Sequence, residues 1–176
     1  MTTLENPVTK ERILMLPSEP GVLRFEEHVP PDMVRPPVHL HRSSAERFEV
    51  LEGQLTLHAD GEDVRLDVGQ SMVLPPGTPH TWWNSGTGLL RILTEFNPAG
   101  NIVSFFETFC GVAQEGRANK QGGPPFLQVV ASAQLWDTYL AKPPVAVQRG
   151  LFTLLRPLAK ARGYRPSYER FRAAQS

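Results

Sequence analysis

Two histidines and a glutamate sit close together in the stretch VHLHRSSAERFEVLEG, residues 38–53: His39 and His41 are one residue apart, and Glu46 follows five residues after the second. Imidazoles and carboxylates bind metal ions and move protons, so three of them at such spacing pose a chemical question. A third histidine, His80, stands in GQSMVLPPGTPHTWWN, residues 69–84, directly after a turn-forming run of prolines, glycine and threonine. Taken alone, His-x-His has a plain alternative reading, with both rings solvated on a surface strand.

The elements that must position these groups read as short strands. Up to about Pro98 the chain consists of apolar or alternating runs, among them GVLRFEEHV, PPVHLHR, ERFEVLEG, QLTLHADGEDVRLDVG, SMVLPPGTPHTWW and LLRILTEF, separated by turn residues. Asp60-Gly61 is a pair that supplies positive φ in a two-residue hairpin turn, so its flanking strands are expected to be antiparallel neighbours. Gly69 is read as closing a further hairpin and SMVL as entering the core. Many short strands without intervening helices predict a sandwich or barrel. Along a strand side chains alternate, which puts His39 and His41 on one face and Val38 and Leu40 on the other. Residues 42–45 suit a turn, and the antiparallel return of the next strand is expected to set the Glu46 carboxylate beside the histidines. If Glu46 points inward, Phe48 and Val50 share its face, and Trp82 is the inward member of the Trp82-Trp83 pair. These three are the expected substrate-pocket residues, with core packing as the alternative for Trp82. Arg24 and Arg91 are read on a solvated strand face, and His28 and His58 as ordinary histidines.

After Pro98 the rhythm turns helical. Ile102, Phe105, Phe106, Phe109, Cys110 and Ala113 stripe one face of a helix, and FLQVVASAQLWDTYL and VAVQRGLFTLLRPLAKA read likewise, with Pro157 expected to kink or break the last. The expected organisation is therefore a β-barrel domain over residues 1–98, N-terminal arm included. A helical extension over 99–176 is expected to pack on the barrel or on a dimer partner.

The spacing of the two stretches carries a resemblance. The first runs His39, one residue, His41, four residues, Glu46, six residues, Gly53; the second runs Gly69, five residues, Pro75, one residue, Gly77, two residues, His80, three residues, Asn84. Together they resemble the two signature motifs of the cupin superfamily, departing only where Met33 replaces the first motif's leading glycine. The resemblance implies a mainly β fold, a cupin jelly-roll β-barrel followed by C-terminal α-helices. It also implies one divalent metal ion held inside the barrel by His39, His41, Glu46 and His80, and association as a homodimer.

Donor chemistry agrees. Three imidazoles and a carboxylate suit iron, manganese, nickel, copper or zinc, and suit calcium and magnesium poorly, since these prefer oxygen. Four protein donors leave an octahedral ion two positions for water, dioxygen or a substrate held through two oxygens. Iron is the favoured ion. The favoured activity is a dioxygenase-type oxidation of a small, largely apolar or aromatic molecule, with Glu46 as the catalytic base. A redox-neutral isomerase or polyketide cyclase and a non-catalytic binding module stay open as alternatives.

Composition limits the remaining classes. The 176 residues carry a formal net charge of zero, 40% apolar and 20% charged residues, which excludes wholesale disorder and a wholly basic nucleic-acid binder. Cys110 is the single cysteine and is read as a small buried hydrophobe. Without a signal-like N-terminus or an apolar run near the roughly 20 residues of a membrane span, the chain reads as cytoplasmic. From Lys142 onward eight lysines and arginines face the single acid Glu169. This basic tail is read as the exposed side of a packing extension and not as a membrane contact, because Gly150, Pro157 and Gly163 interrupt the helix.

Overall fold

Residues 2–172 are described by the computed structural model. The alternating runs become β1 (Thr3–Asn6), β2 (Glu11–Leu16), β3 (Leu23–Val29), β4 (His39–His41), β5 (Ala45–Glu52), β6 (Gln54–Ala59), β7 (Glu62–Asp67), β8 (Ser71–Leu74), β9 (His80–Asn84) and β10 (Leu90–Asn97). Then follow α1 (Ile102–Gln114), α2 (Phe126–Trp136), β11 (Thr138–Leu140), α3 (Val145–Ala161) and a short 3-10 turn at Glu169–Phe171. One sheet has the order β1-β2-β3-β10-β5-β8 and the other β11-β4-β9-β6-β7. From β3 onward the chain passes repeatedly between them, which makes the domain a jelly roll of two facing antiparallel sheets.

The hairpin between β6 and β7 has Asp60 and Gly61 at φ 52° and 87°, the positive pair its sequence requires. Gly69 does not close a hairpin, because β7 pairs with β6 in one sheet while β8 pairs with β5 in the other. SMVL is an edge strand: only Leu74 is buried, and Val73 is exposed. Glycine is needed at position 53, where the chain crosses from β5 to β6 at φ 81° and an added Cβ would lie 2.6 Å from the Leu89 carbonyl oxygen.

Alternation fills the space between the sheets. Phe48, Val50, Leu55, Leu57, Trp82, Leu90 and Ile92 belong to the central cluster. A second cluster places Ile102, Phe106 and Cys110 of α1 on Leu4, Ile13, Phe25 and Phe96. The third joins α2, β11 and α3 through Val130, Ala133, Tyr139, Phe152 and Ala159. Two departures from the helical pattern matter. Asp137 adopts a left-handed conformation that ends α2 and turns the chain into β11, a strand too short for alternation to mark. Helix α3 runs unbroken through Gly150 and Pro157 for 17 residues. Proline there removes a backbone donor on the exposed side, while Phe152 and Ala159 anchor the helix from the buried side.

One buried polar pair interrupts this core. Glu11 and Glu27 are 5% and 2% exposed, and Glu27 accepts a hydrogen bond of 2.7 Å from the Thr94 hydroxyl. Burial raises the pKa of both carboxyls, Glu27 well above the ordinary range with the Glu11 charge adding to the effect, which favours the neutral form of Glu27. A carboxyl raised on folding contributes stability that is full below its unfolded pKa of 4.5 and is lost as pH climbs through the folded value. Glu27→Gln keeps a neutral side chain of the same shape in place. Its urea midpoint should therefore fall less between about pH 5 and about pH 8 than the wild-type midpoint does. Parallel pH profiles for the two proteins would rule out a raised Glu27 as a source of that pH dependence.

Candidate metal centre

The four groups converge between the central cluster and the cluster under α1. Strands β4 and β9 are neighbours with His39 opposite His80, so their imidazoles and that of His41 issue from one sheet. Glu46 issues from the facing sheet, where its cross-strand partners are Phe96 and Leu74. The sequence expectation of an adjacent antiparallel return is thus corrected: β4 and β5 lie in different sheets, and the carboxylate meets the histidines across the barrel interior. One ligand atom from each of His39, His41, Glu46 and His80 can be chosen so that all lie within 4.8 Å of one another. His41, Glu46 and His80 are buried and His39 is half-buried, so the cluster opens towards solvent on the His39 side.

Each ring is held from behind. The Nδ1 atoms of His39 and His80 lie 2.9 Å from the carbonyl oxygens of Pro37 and Thr78. His41 Nδ1 lies 3.0 Å from the Thr138 hydroxyl, which in turn donates to the Trp136 carbonyl. These bonds place the proton on Nδ1, leaving Nε2 as the lone-pair atom in all three rings. The Gly77 amide donates to the His41 carbonyl at 2.7 Å and fixes the turn before β9 against β4. Asn84 ends β9 by donating to the carbonyls of Val29 and Gly88.

Thr138 went unseen in the sequence reading. It lies 97 residues from the histidine it orients, within a stretch read as helix, and no local pattern marks it. Removing an outer partner of a metal-ligating histidine typically costs 10–100-fold in affinity. Thr138→Val should accordingly weaken metal binding by about that factor with an unchanged melting profile, as measured by competition with a chelating dye. Wild-type affinity in the variant would show that the hydroxyl does not orient His41.

Glu46 Oε2 lies 2.9 Å from His80 Nε2 and 3.3 Å from His41 Nε2, yet none of these three buried atoms has a hydrogen bond of ordinary geometry. Burial opposes charge on Glu46, but the His41 charge and close contacts with His41 and His80 hold its carboxyl well below the ordinary range. For His80 burial pulls the pKa down, and the contact with Glu46 outweighs it to leave the ring raised. Burial, with His80 and His41 beside it, lowers His39 to about 3, so that ring is neutral. When a proton sits between Glu46 and His80 the contact is an ion pair; without it, lone pairs converge on one point and only a cation satisfies them. The donor set, its burial and its orphaned atoms therefore fit a divalent transition metal.

The other sequence candidates fall into place around this centre. Phe48, Val50 and Trp82 are all buried in the central cluster, with the Phe48 and Trp82 rings 6.1 Å apart. Trp83 faces outward under the Arg35 guanidinium. Arg24 pairs with Glu95 at 3.2 Å and Arg91 with Glu26 at 2.7 Å on the outer face. His28 pairs with Glu26 and His58 with Asp63. Burial pushes the Cys110 thiol up, so it packs as an apolar side chain.

Two facing antiparallel sheets that enclose three imidazoles and a carboxylate define a jelly-roll protein able to hold a metal ion. Residues 25–95 match the family model described as a cupin domain. Over 117 residues it is 29% identical to a protein of Arthrobotrys oligospora named as an oxidoreductase, covering 62% of this chain and 46% of that one. The chain thus spans less than half the length of that relative. Over 49 residues it is 39% identical to the HTH-type transcriptional regulator PuuR of Escherichia coli, covering 28% of this chain and 26% of the regulator. Among solved structures, an RmlC-like cupin from Shewanella frigidimarina is 23% identical, with a TM-score of 0.48 over 56% of this chain and 86% of that one.

Proposed function

We propose that the protein is a metal-dependent cupin oxidoreductase of dioxygenase type acting on a small, largely apolar or aromatic molecule. The observation that carries this reading is the buried cluster of His39, His41, Glu46 and His80, open at His39 and backed by apolar side chains. Similarity to a fungal protein named as an oxidoreductase supports the reaction class. A redox-active divalent ion such as Fe²⁺, when bound, would supply the one-electron chemistry by which dioxygen reacts with an organic substrate. His39, His41 and His80 would hold it through Nε2, each fixed by its bond at Nδ1. Glu46 balances charge and accepts a substrate proton at Oε2, the oxygen already turned to the histidines. Phe48 and Trp82 exclude water behind the centre, and the apolar wall they form suits an aromatic or enediol compound better than a sugar phosphate.

The test is oxygen uptake by iron-loaded protein over a panel of catechol- and enediol-type compounds. Uptake should appear with iron, vanish on zinc loading and fall sharply in Glu46→Gln. Turnover that survives zinc and needs no oxygen would replace this reading by a redox-neutral isomerase or cyclase. The match to a transcriptional regulator gives a further outcome: a compound from the panel that binds stoichiometrically and is recovered unchanged would favour a non-catalytic binding module.

A further inference from the structure

We propose that the cleft between α3 and the chain segment that follows it binds a small phosphorylated molecule through Arg156, Lys160, Tyr164 and Arg165. These four, with Ala131 of α2 beside them, line a recess of about 450 Å³. That volume falls within the roughly 300–1,000 Å³ typical of small-molecule sites. Arg156 and Lys160 are four residues apart on α3, which puts them on one face of the helix. After α3 ends at Ala161, Gly163 at φ 82° turns the chain, and Tyr164 and Arg165 come to the same recess. None of the four metal-ligand candidates lines it.

The cations of the recess carry no counter-charge. Among the described residues the Lys160 ammonium, the Arg165 guanidinium and the Tyr164 hydroxyl have no hydrogen bond or ion pair, and the Arg156 guanidinium donates only to the neutral Gln134 side chain. Neither α2 nor residues 138–168 contain an aspartate or glutamate. Of the acids nearby in sequence, Asp137 is held by Arg42 and Ser43, and Glu169 forms no ion pair with these cations among the described residues. Three like charges around one recess repel one another, and an anion bound there removes that cost. The backbone that presents Arg165 is fixed from behind. Gln128, fully buried, donates to the Arg165 carbonyl at 2.8 Å, while the Arg165 amide donates to the Tyr168 hydroxyl at 3.2 Å, which donates to the Gln128 side-chain oxygen at 2.7 Å. The last carbonyls of α3 are capped as well, since the Gly163 and Tyr164 amides donate to those of Lys160 and Ala159, so they are not left bare towards an incoming anion.

Charge and donor count select phosphate over carboxylate. A phosphate monoester carries about −1.5 to −2 at neutral pH and offers three strong acceptor oxygens, whereas a carboxylate has a single charge and two oxygens. Two guanidinium forks, an ammonium and a phenol hydroxyl present more donors than one carboxylate can accept, and planar forks fit phosphate oxygens in pairs. An extended polyanion is the competing occupant. It would run along the helix and engage Arg149 and Arg162 too, yet neither of these lines the recess. The concave grouping of the four donors therefore favours a compact ligand.

Calorimetric titration of the full chain with phenyl phosphate tests this. One molecule per chain should bind saturably, and phenylmalonate, which carries a similar ring and charge on two carboxylates, should bind at least about tenfold more weakly at the same ionic strength. Lys160→Gln with Arg165→Gln should lose at least about tenfold in phenyl phosphate affinity with an unchanged melt, since neither side chain has a partner to lose among the described residues. Arg149→Gln with Arg162→Gln removes the same two charges outside the recess and should stay within about twofold of the wild type. Equal weakening in the two double variants would reveal a diffuse field in place of a site and overturn the proposal. So would binding that survives Lys160→Gln with Arg165→Gln, because the anion then sits elsewhere, the metal centre included. Equal affinity for phenylmalonate would overturn the choice of phosphate. Absence of phenyl phosphate binding would overturn the small-molecule site, and if the protein then sediments with vesicles containing phosphatidic acid, the recess belongs to a lipid headgroup.

Discussion

His80→Ala protein should emerge from purification carrying less than about a tenth of the metal bound by the wild type, and added metal should bind at least about a hundredfold more weakly. His80 is the most enclosed donor, 1% exposed and 2.9 Å from Glu46 Oε2. Four donors of this kind together supply about 10–16 kcal/mol of apparent binding, so one quarter of that is about 3 kcal/mol, which is about a hundredfold. The deletion also leaves a cavity and strips Glu46 of its nearer partner, so a loss of metal could reflect a loosened barrel. His80→Gln separates the two effects, since it retains most of the volume and a donor for Glu46 but lacks the imidazole lone pair. It should melt close to the wild type and still lose the metal. His39→Ala and His41→Ala should behave as His80→Ala does, and stoichiometric metal retained in all three would end the assignment of this cluster.

Periodicity and spacing made the β half of the chain legible. Alternation marked β3, β5, β6, β7 and β10 because each buries one face, as the buried Phe25, Phe48, Leu55, Leu66 and Ile92 show. Asp60-Gly61 marked its hairpin because few other pairs accept two positive φ angles. The four donors could be named together through the motif spacing. Local pattern placed Glu46 wrongly, on a strand adjacent to the histidines, since alternation fixes which face a residue takes and not which sheet its strand joins. Strand β1 escaped because TLEN has one apolar residue, Leu4, and its other buried position is the polar Asn6, so its alternation does not show as apolar residues. It is held by pairing with β2 and by the Asn6 amide, which donates to the Gly122 carbonyl. β11 escaped for a similar reason, as three residues whose register comes wholly from β4. Both are segments that long-range partners specify, and such partners leave no trace in a window of neighbouring residues.

That dependence predicts the outcome of cutting the chain where its rhythm changes. A chain ending at Pro98 should be insoluble or unfolded, although it contains β1 to β10 and all four metal-ligand candidates. It loses Ile102, Phe106 and Cys110, which cover Leu4, Ile13, Phe25 and Phe96. At about 1.5–3 kcal/mol for each large side chain, before the newly exposed partners are counted, the deficit approaches the about 5–15 kcal/mol that holds a whole domain together. It also loses β11, and β4 with His39 and His41 then becomes the uncovered edge of its sheet. A longer chain ending at Gly123 distinguishes these losses. It keeps α1 and the Asn6–Gly122 bond, so it should fold with a lowered melting temperature. It lacks Thr138 and the β11 pairing that hold His41 in place, so its metal affinity should drop at least about tenfold below that of the full chain. A chain ending at Pro98 that stays soluble, melts cooperatively and binds one metal ion would show that the barrel is complete without residues 99–176. The helical extension would then contribute nothing to the site, and Thr138 would be an incidental neighbour of His41.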